Sequence, residues 1–234
     1  TNFENLVFYG STSTTSTGTV YLYIQGHKVK FGSNITMDRY TKNGTLPDFD
    51  IYGGWRRFNT VSSLVAKTNI PTIEINSGQF NKIIMGNGMG TNAVSNLQNT
   101  TSNNIIGSSS DSFGGTVTVD YTEKMKQEDI GLIAGGNEIG TIYSNAIINI
   151  KNGNVGKIIG GNYADSSNRP TSWAYPLNTF IGTSTINVTG GQIENIIGAS
   201  YGRNVNGTTI KSDAYYYGTI NINISGGIIN SDIY

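Results

Sequence analysis

Apolar and polar positions alternate along this chain in short runs that break at glycine. The stretch Ile147-Ile148-Asn149-Ile150-Lys151-Asn152-Gly153-Asn154-Val155-Gly156-Lys157-Ile158-Ile159-Gly160-Gly161-Asn162 shows the pattern. Two short apolar runs flank a glycine, and a glycine pair follows. Thr185 to Ser200 repeats it as Thr-Ile-Asn-Val-Thr-Gly-Gly-Gln-Ile-Glu-Asn-Ile-Ile-Gly-Ala-Ser. Asn221 to Tyr234 repeats it again, through Ile222-Asn223-Ile224 and Gly226-Gly227-Ile228-Ile229. Alternation with period two predicts strands, and the glycines predict turns between them. Helix signals are nearly absent. The best window, Tyr121 to Asp129, is short and has no apolar face, so it reads as a loop or a single turn.

The unit extends upstream. Ile73-Glu74-Ile75-Asn76-Ser77-Gly78 through Ile83-Ile84-Met85-Gly86-Asn87 aligns without a gap. Val117-Thr118-Val119 leads, after an insertion, to Leu132-Ile133-Ala134-Gly135-Gly136-Asn137. A degenerate first copy is expected from Val20-Tyr21-Leu22-Tyr23-Ile24 to Ile51-Tyr52-Gly53-Gly54. That gives about six units, each with a core of roughly 16 residues. In each strand the isoleucines face one side and Asn or Thr faces the other. The glycine pair supplies positive φ or a close backbone approach. One unit cannot bury its own apolar edge, so units must stack, about 4.8 Å per rung, with parallel pairing between equivalent strands. Six rungs make a prism roughly 30 Å long. The handedness of parallel crossovers favours a right-handed coil.

These units resemble those of bacterial surface and secreted proteins with pectate-lyase-like parallel β-helix repeats, in particular adhesins of the Gram-positive type. The resemblance covers residues 72–234 well and 20–71 weakly. It implies an all-β, right-handed parallel β-helix of about six rungs with variable loops on one side. Residues 20–234 form the repeat domain, read as a fragment of a longer solenoid. Residues 1–19, with the Ser11-to-Thr17 run, form a lead or polar cap strand. A sandwich or propeller is the alternative, but propeller blades need four strands in about 40 residues, more than these units hold.

Composition narrows the function. Lys plus Arg and Asp plus Glu number 15 each, so no basic excess exists to neutralise phosphates or anionic lipids. Nucleic-acid partners are excluded on that ground. No apolar run is long enough to span a membrane, and no signal peptide is seen. The chain starts at Thr1 and reads as a processed or excised segment. It has no cysteine, and only 13% of residues are charged. Together with Asn-, Ile- and Tyr-rich usage, this points to a bacterial protein outside the cell, on its surface or secreted.

Loops of variable length follow the second glycine turn of the later units, at 88–115, 163–183 and 201–218. Leaving equivalent corners, they are expected to gather on one side as the binding surface. Their candidate contact residues are Tyr163, Arg169, Trp173, Tyr175, Tyr201, Arg203, Tyr215, Tyr216 and Tyr217, joined by Trp55 and Arg56 in an earlier charged cluster. Aromatic faces with polar tips suit sugar rings or protein partners, and the same residues serve equally to cover the flank of the stack. Asp48 and Asp50 are the weak candidates for a calcium ion, and no other cofactor is indicated.

Enzyme chemistry has little support. His27 is the sole histidine, no acidic residue recurs in register, and no phosphate or dinucleotide fingerprint is present. The primary expectation is a non-catalytic module serving adhesion or display, binding glycan or a host surface protein. The alternative is a carbohydrate-active lyase or hydrolase, which a close pair of carboxylates in an outer groove would favour. The last unit stops without a cap, so further rungs or a capping domain are expected beyond it. Ile186→Asn should destabilise by several kcal/mol, whereas Asn187→Ser should be nearly silent.

Overall fold

The computed structural model describes residues 1–10, 19–38, 47–54, 70–88, 105–106, 113–122, 129–138, 140–164, 178–202 and 214–234. Among them every regular element is a strand. The first turns hold β1 (Asn2–Phe3), β2 (Val7–Tyr9), β3 (Thr19–Tyr23), β4 (Lys28–Phe31), β5 (Thr36–Asp38), β6 (Asp48–Tyr52), β7 (Thr72–Ile75) and β8 (Phe80–Ile84). The later turns hold β9 (Ile105–Ile106), β10 (Phe113–Asp120), β11 (Ile130–Ala134), β12 (Thr141–Asn152), β13 (Asn154–Ile159), β14 (Tyr163–Ala164), β15 (Asn178–Ile197), β16 (Tyr201–Gly202) and β17 (Ala214–Ile229).

Every pairing among these strands is parallel. The main path runs β1-β4-β7-β10-β12-β15-β13-β11-β8-β6-β3, with β17 beside β15 and β9 beside β12. The path doubles back through β15, which turns a corner at Gly190-Gly191. Its first part pairs with β12 and its last part with β13. The result is one curled parallel sheet with two wings facing a common core, an all-β, solenoid-like fold.

Register explains the sequence repeat. On the first wing Val29, Ile73, Val117, Ile148, Ile186 and Ile222 stand side by side. On the second wing Leu22, Ile51, Ile83, Ile133, Ile158 and Ile196 do the same. Both rows join a single buried apolar cluster. Near the start of the chain that cluster is aromatic, with the Phe31 and Phe80 rings 4.9 Å apart and Phe8 and Phe49 4.7 Å apart. The outward row of the first wing reads Lys30, Glu74, Thr118, Asn149, Asn187 and Asn223. Apolar residues therefore face in and polar ones out, as the alternation requires.

The first copy is organised differently from the sequence expectation. Val20–Ile24 and Ile51–Gly54 are not successive strands of one unit. β3 and β6 lie on the same wing in neighbouring turns, with Leu22 opposite Ile51. The true partner of β6 within its turn is β4, whose Lys28-Val29-Lys30-Phe31 carries two lysines and hides the motif. At the other end β17 pairs only with β15 among the described residues, and Ile220, Ile224 and Ile228 are exposed.

Candidate functional site

The outer faces of the two wings carry different chemistry. On the first wing, alternate residues of β12, β15 and β17 point away from the core upstream of the asparagine row. Thr141, Thr179, Ile181, Tyr215 and Tyr217 line a groove of about 280 Å³ there. Tyr215 and Tyr217 fall two residues apart on β17, so strand geometry puts both rings on one face. They are 42% and 61% exposed, which leaves their faces open to a ligand. Tyr216 between them points inward. Its ring stacks on Phe180 at 4.9 Å, and its hydroxyl donates to the Thr219 carbonyl at 2.8 Å. The Ser184 backbone N–H donates to that hydroxyl oxygen at 3.1 Å. Burial raises its phenol above the ordinary tyrosine range, so it stays a neutral donor.

On the second wing, β8, β11 and β13 bring Asn81, Lys82, Gly131, Leu132 and Lys157 to the outer face, where Tyr163 completes a groove of about 300 Å³. Tyr163 and Tyr201, paired across β14 and β16, stack at 5.9 Å, and the Lys157 ammonium sits 4.6 Å from the Tyr201 ring centre. Both tyrosines also pack against an outer apolar cluster of Tyr52, Ile84, Leu132, Ala134 and Ile159. Both cover that cluster, and Tyr163 also edges the groove.

Beside this groove lies an arrangement that sequence reasoning missed. Lys82 Nζ contacts a Glu138 carboxylate oxygen and lies 3.6 Å from Asp50. Asn81 donates to Asp50 at 2.9 Å and the Tyr52 hydroxyl donates to Glu138 at 3.3 Å. Asp50, Lys82 and Leu132 are laterally paired on β6, β8 and β11, so a carboxylate and an ammonium stand one rung apart. Glu138 enters from the corner after Gly135-Gly136. Burial raises the Asp50 carboxyl above the usual range, against the lowering effect of Lys82 and Asn81. The sequence offered Asp50 only as a weak calcium candidate and Lys82 only as a position in a repeat unit, and no sequence signal placed Glu138 over them.

The sequence candidates thus fall into three places. Tyr163 and Tyr201 meet on the second wing, Tyr215 and Tyr217 on the first, and Tyr216 turns into the core. Trp55, Arg56, Arg169, Trp173, Tyr175 and Arg203 lie outside the described residues, as does most of the three variable loops. Asp48 and Asp50 share one strand, but the Asp50 carboxylate is held by Asn81 and Lys82. Among the described residues no three acidic, histidine or cysteine side chains converge as a metal site. No helix among them is long and apolar enough to cross a membrane. Comparison with family models, curated proteins and solved structures finds no match to this chain.

Proposed function

We propose that this chain is a non-catalytic module of a bacterial surface or secreted protein: a right-handed parallel β-helix of about six rungs that serves adhesion or display. It engages glycan or a host surface protein through its outward tyrosines. One observation carries this reading: Tyr215 and Tyr217 present two open rings over a groove floored by Ile181 and edged by the hydroxyls of Thr141 and Thr179. Flat apolar faces beside hydroxyl groups match the faces and edges of a sugar ring. The regular sheet beneath holds those rings at fixed spacing, so little order is lost on binding.

The catalytic alternative draws on the Asp50–Glu138 pair, the close carboxylates that a hydrolase needs. Lys82 contacts Glu138 and lies 3.6 Å from Asp50, so among the described residues this pair is engaged with a cation. A glycan array and a polysaccharide-degradation screen test the two readings together. Binding that is lost in the double variant Tyr215→Ala, Tyr217→Ala, with no polymer turned over, supports the module. Turnover of any polymer sinks it.

A further inference from the structure

We propose that the first-wing groove takes an uncharged oligosaccharide chain, not an acidic or a single terminal sugar, and that Tyr143 is a third ring of that site. This rests on the glycan reading above and names its ligand class. The first observation is where charge is missing. Residues 140–150, 178–193 and 214–231, which supply the first-wing strands of the last three turns, contain no Asp, Glu, Lys, Arg or His. Other outward positions do carry charge. The first wing has Lys30 and Glu74 in its earlier turns, and the second wing has Asp50, Lys82 and Lys157. A solvent-facing surface ordinarily carries about 25–35% charged residues, so a charge-free face of this extent is a selected one.

Its chemistry chooses the ligand. A carboxylate or sulfate laid on it would lose water and gain no cation among the described residues. A protein surface would bring charges of its own and meet the same penalty. A neutral sugar meets none. Its hydroxyls find the hydroxyls of Thr141 and Thr179, and its apolar faces find Tyr215, Tyr217 and Ile181.

The second observation is register. Tyr143 stands opposite Ile181, and Ile181 opposite Tyr217, so the three share one outward row that crosses β12, β15 and β17. Two strand spacings put the Tyr143 and Tyr217 backbones roughly 9.6 Å apart, and Tyr215 is roughly 6.7 Å from Tyr217 along β17. Tyr143 is half-buried and lies across Ile181 from the two exposed rings. A single sugar cannot cover both tyrosines of the row. A chain crossing from turn to turn can, so affinity grows with its length. Tyr143 then contributes only to ligands long enough to reach it.

Titration calorimetry of the full chain tests this with two panels. One holds linear neutral oligosaccharides of glucose, galactose, mannose or N-acetylglucosamine, from one to six units. The other holds uronate and sulfated oligosaccharides of the same lengths. A neutral series should bind, tighten about tenfold or more between one unit and four, and be indifferent to salt. Tyr143→Ala should weaken the long neutral ligand about fivefold and leave the shortest unchanged, while Tyr143→Phe keeps the affinity of the unaltered chain. Equal weakening of short and long ligands would give Tyr143 a structural role and overturn its place in the site, and affinity that does not rise with length would overturn the chain-length claim. Preference for the acidic panel, lost in the double variant Tyr215→Ala, Tyr217→Ala, would keep the glycan reading and overturn this one. Binding in neither panel overturns both.

Discussion

The side-chain carbonyl of Asn162 accepts the backbone N–H of Asn137 at 2.8 Å, one turn away, and both residues are fully buried. The relation repeats along the stack. Asn137 accepts from the Asn87 backbone at 2.7 Å, and Ser200 accepts from the Asn162 backbone at 3.0 Å. Each corner thus reaches across to satisfy its neighbour. The glycine before each asparagine makes room for this, because a Cβ on Gly86 would overlap the Asn137 side chain and one on Gly136 would overlap Asn162.

Asn162 also donates to the Gly140 carbonyl at 3.1 Å and to Asn178 at 2.6 Å. Asn162→Ala should therefore strand buried groups on three neighbours and destabilise by at least about 2 kcal/mol, read as a lower denaturant midpoint at unchanged slope. Asn162→Ser should lose less, because Ser200 shows that a hydroxyl can fill the acceptor position. Equal losses for the two variants would mean that the acceptor is not what matters.

The repeat was legible because its inward isoleucines and its glycines obey one register throughout the later units. Its physical content was only half legible. The two glycine positions of the unit were read as one kind of turn, yet they differ. Gly78, Gly153, Gly191 and Gly227, at the corner between wings, have positive φ. Gly135, Gly136, Gly160 and Gly161 do not, and are needed for close approach between turns. The first copy of the repeat was misread because Lys28 and Lys30 on β4 replace the usual outward Asn or Thr, while β3, one turn earlier, mimics a unit strand. The contact of Glu138 with Lys82 joins residues on different turns, and no linear pattern reports that. The split of Tyr215 and Tyr217 from Tyr216 follows from simple strand alternation and was available in the sequence. The grouping of these candidates as loop residues concealed it.

Gly153 offers a test of the first kind of corner. Its φ is +118°, and a Cβ there would press on the ring of Tyr121, whose hydroxyl donates to the Gly78 carbonyl at 2.6 Å. Gly153→Ala should cost about 2 kcal/mol or more from strain and displaced packing together. A thermal midpoint equal to that of the unaltered chain would show that this corner adapts freely.

Ile186 and Asn187 are adjacent and face opposite ways. Ile186 is fully buried between Ile148 and Ile222, so Ile186→Asn should remove several kcal/mol of stability. Asn187 faces out, but it is not idle. It donates to Asn149 at 2.8 Å and accepts from Asn223 at 2.9 Å. Serine is too short to span both gaps, so Asn187→Ser should cost about 1 kcal/mol, a little more than the silence its exposure alone suggests. Comparable thermal shifts for the two variants would refute the assigned facing.

Asp129 gives the fold a pH dependence of its own. It is fully buried just before β11, its Oδ2 accepts the Asn154 backbone N–H at 2.8 Å, and its Oδ1 has no hydrogen-bond partner among the described residues. Burial, only partly offset by the Asn154 hydrogen bond, raises its carboxyl to about 6 from 3.8. The folded chain therefore binds this proton more tightly than the unfolded chain. The resulting stabilisation is complete below about pH 3.8, declines as pH rises, and is gone above about 6, with a span on the order of 3 kcal/mol. Other carboxylates titrate in the same range, so the contribution is isolated by comparison with Asp129→Asn, which keeps an acceptor for Asn154 and cannot ionise. Urea unfolding of the two chains at pH 4, 5, 6 and 7 should show the unaltered chain losing stability relative to the variant up to about pH 6, and then a constant difference. Parallel curves across that window would show that Asp129 is ionised in the folded chain throughout.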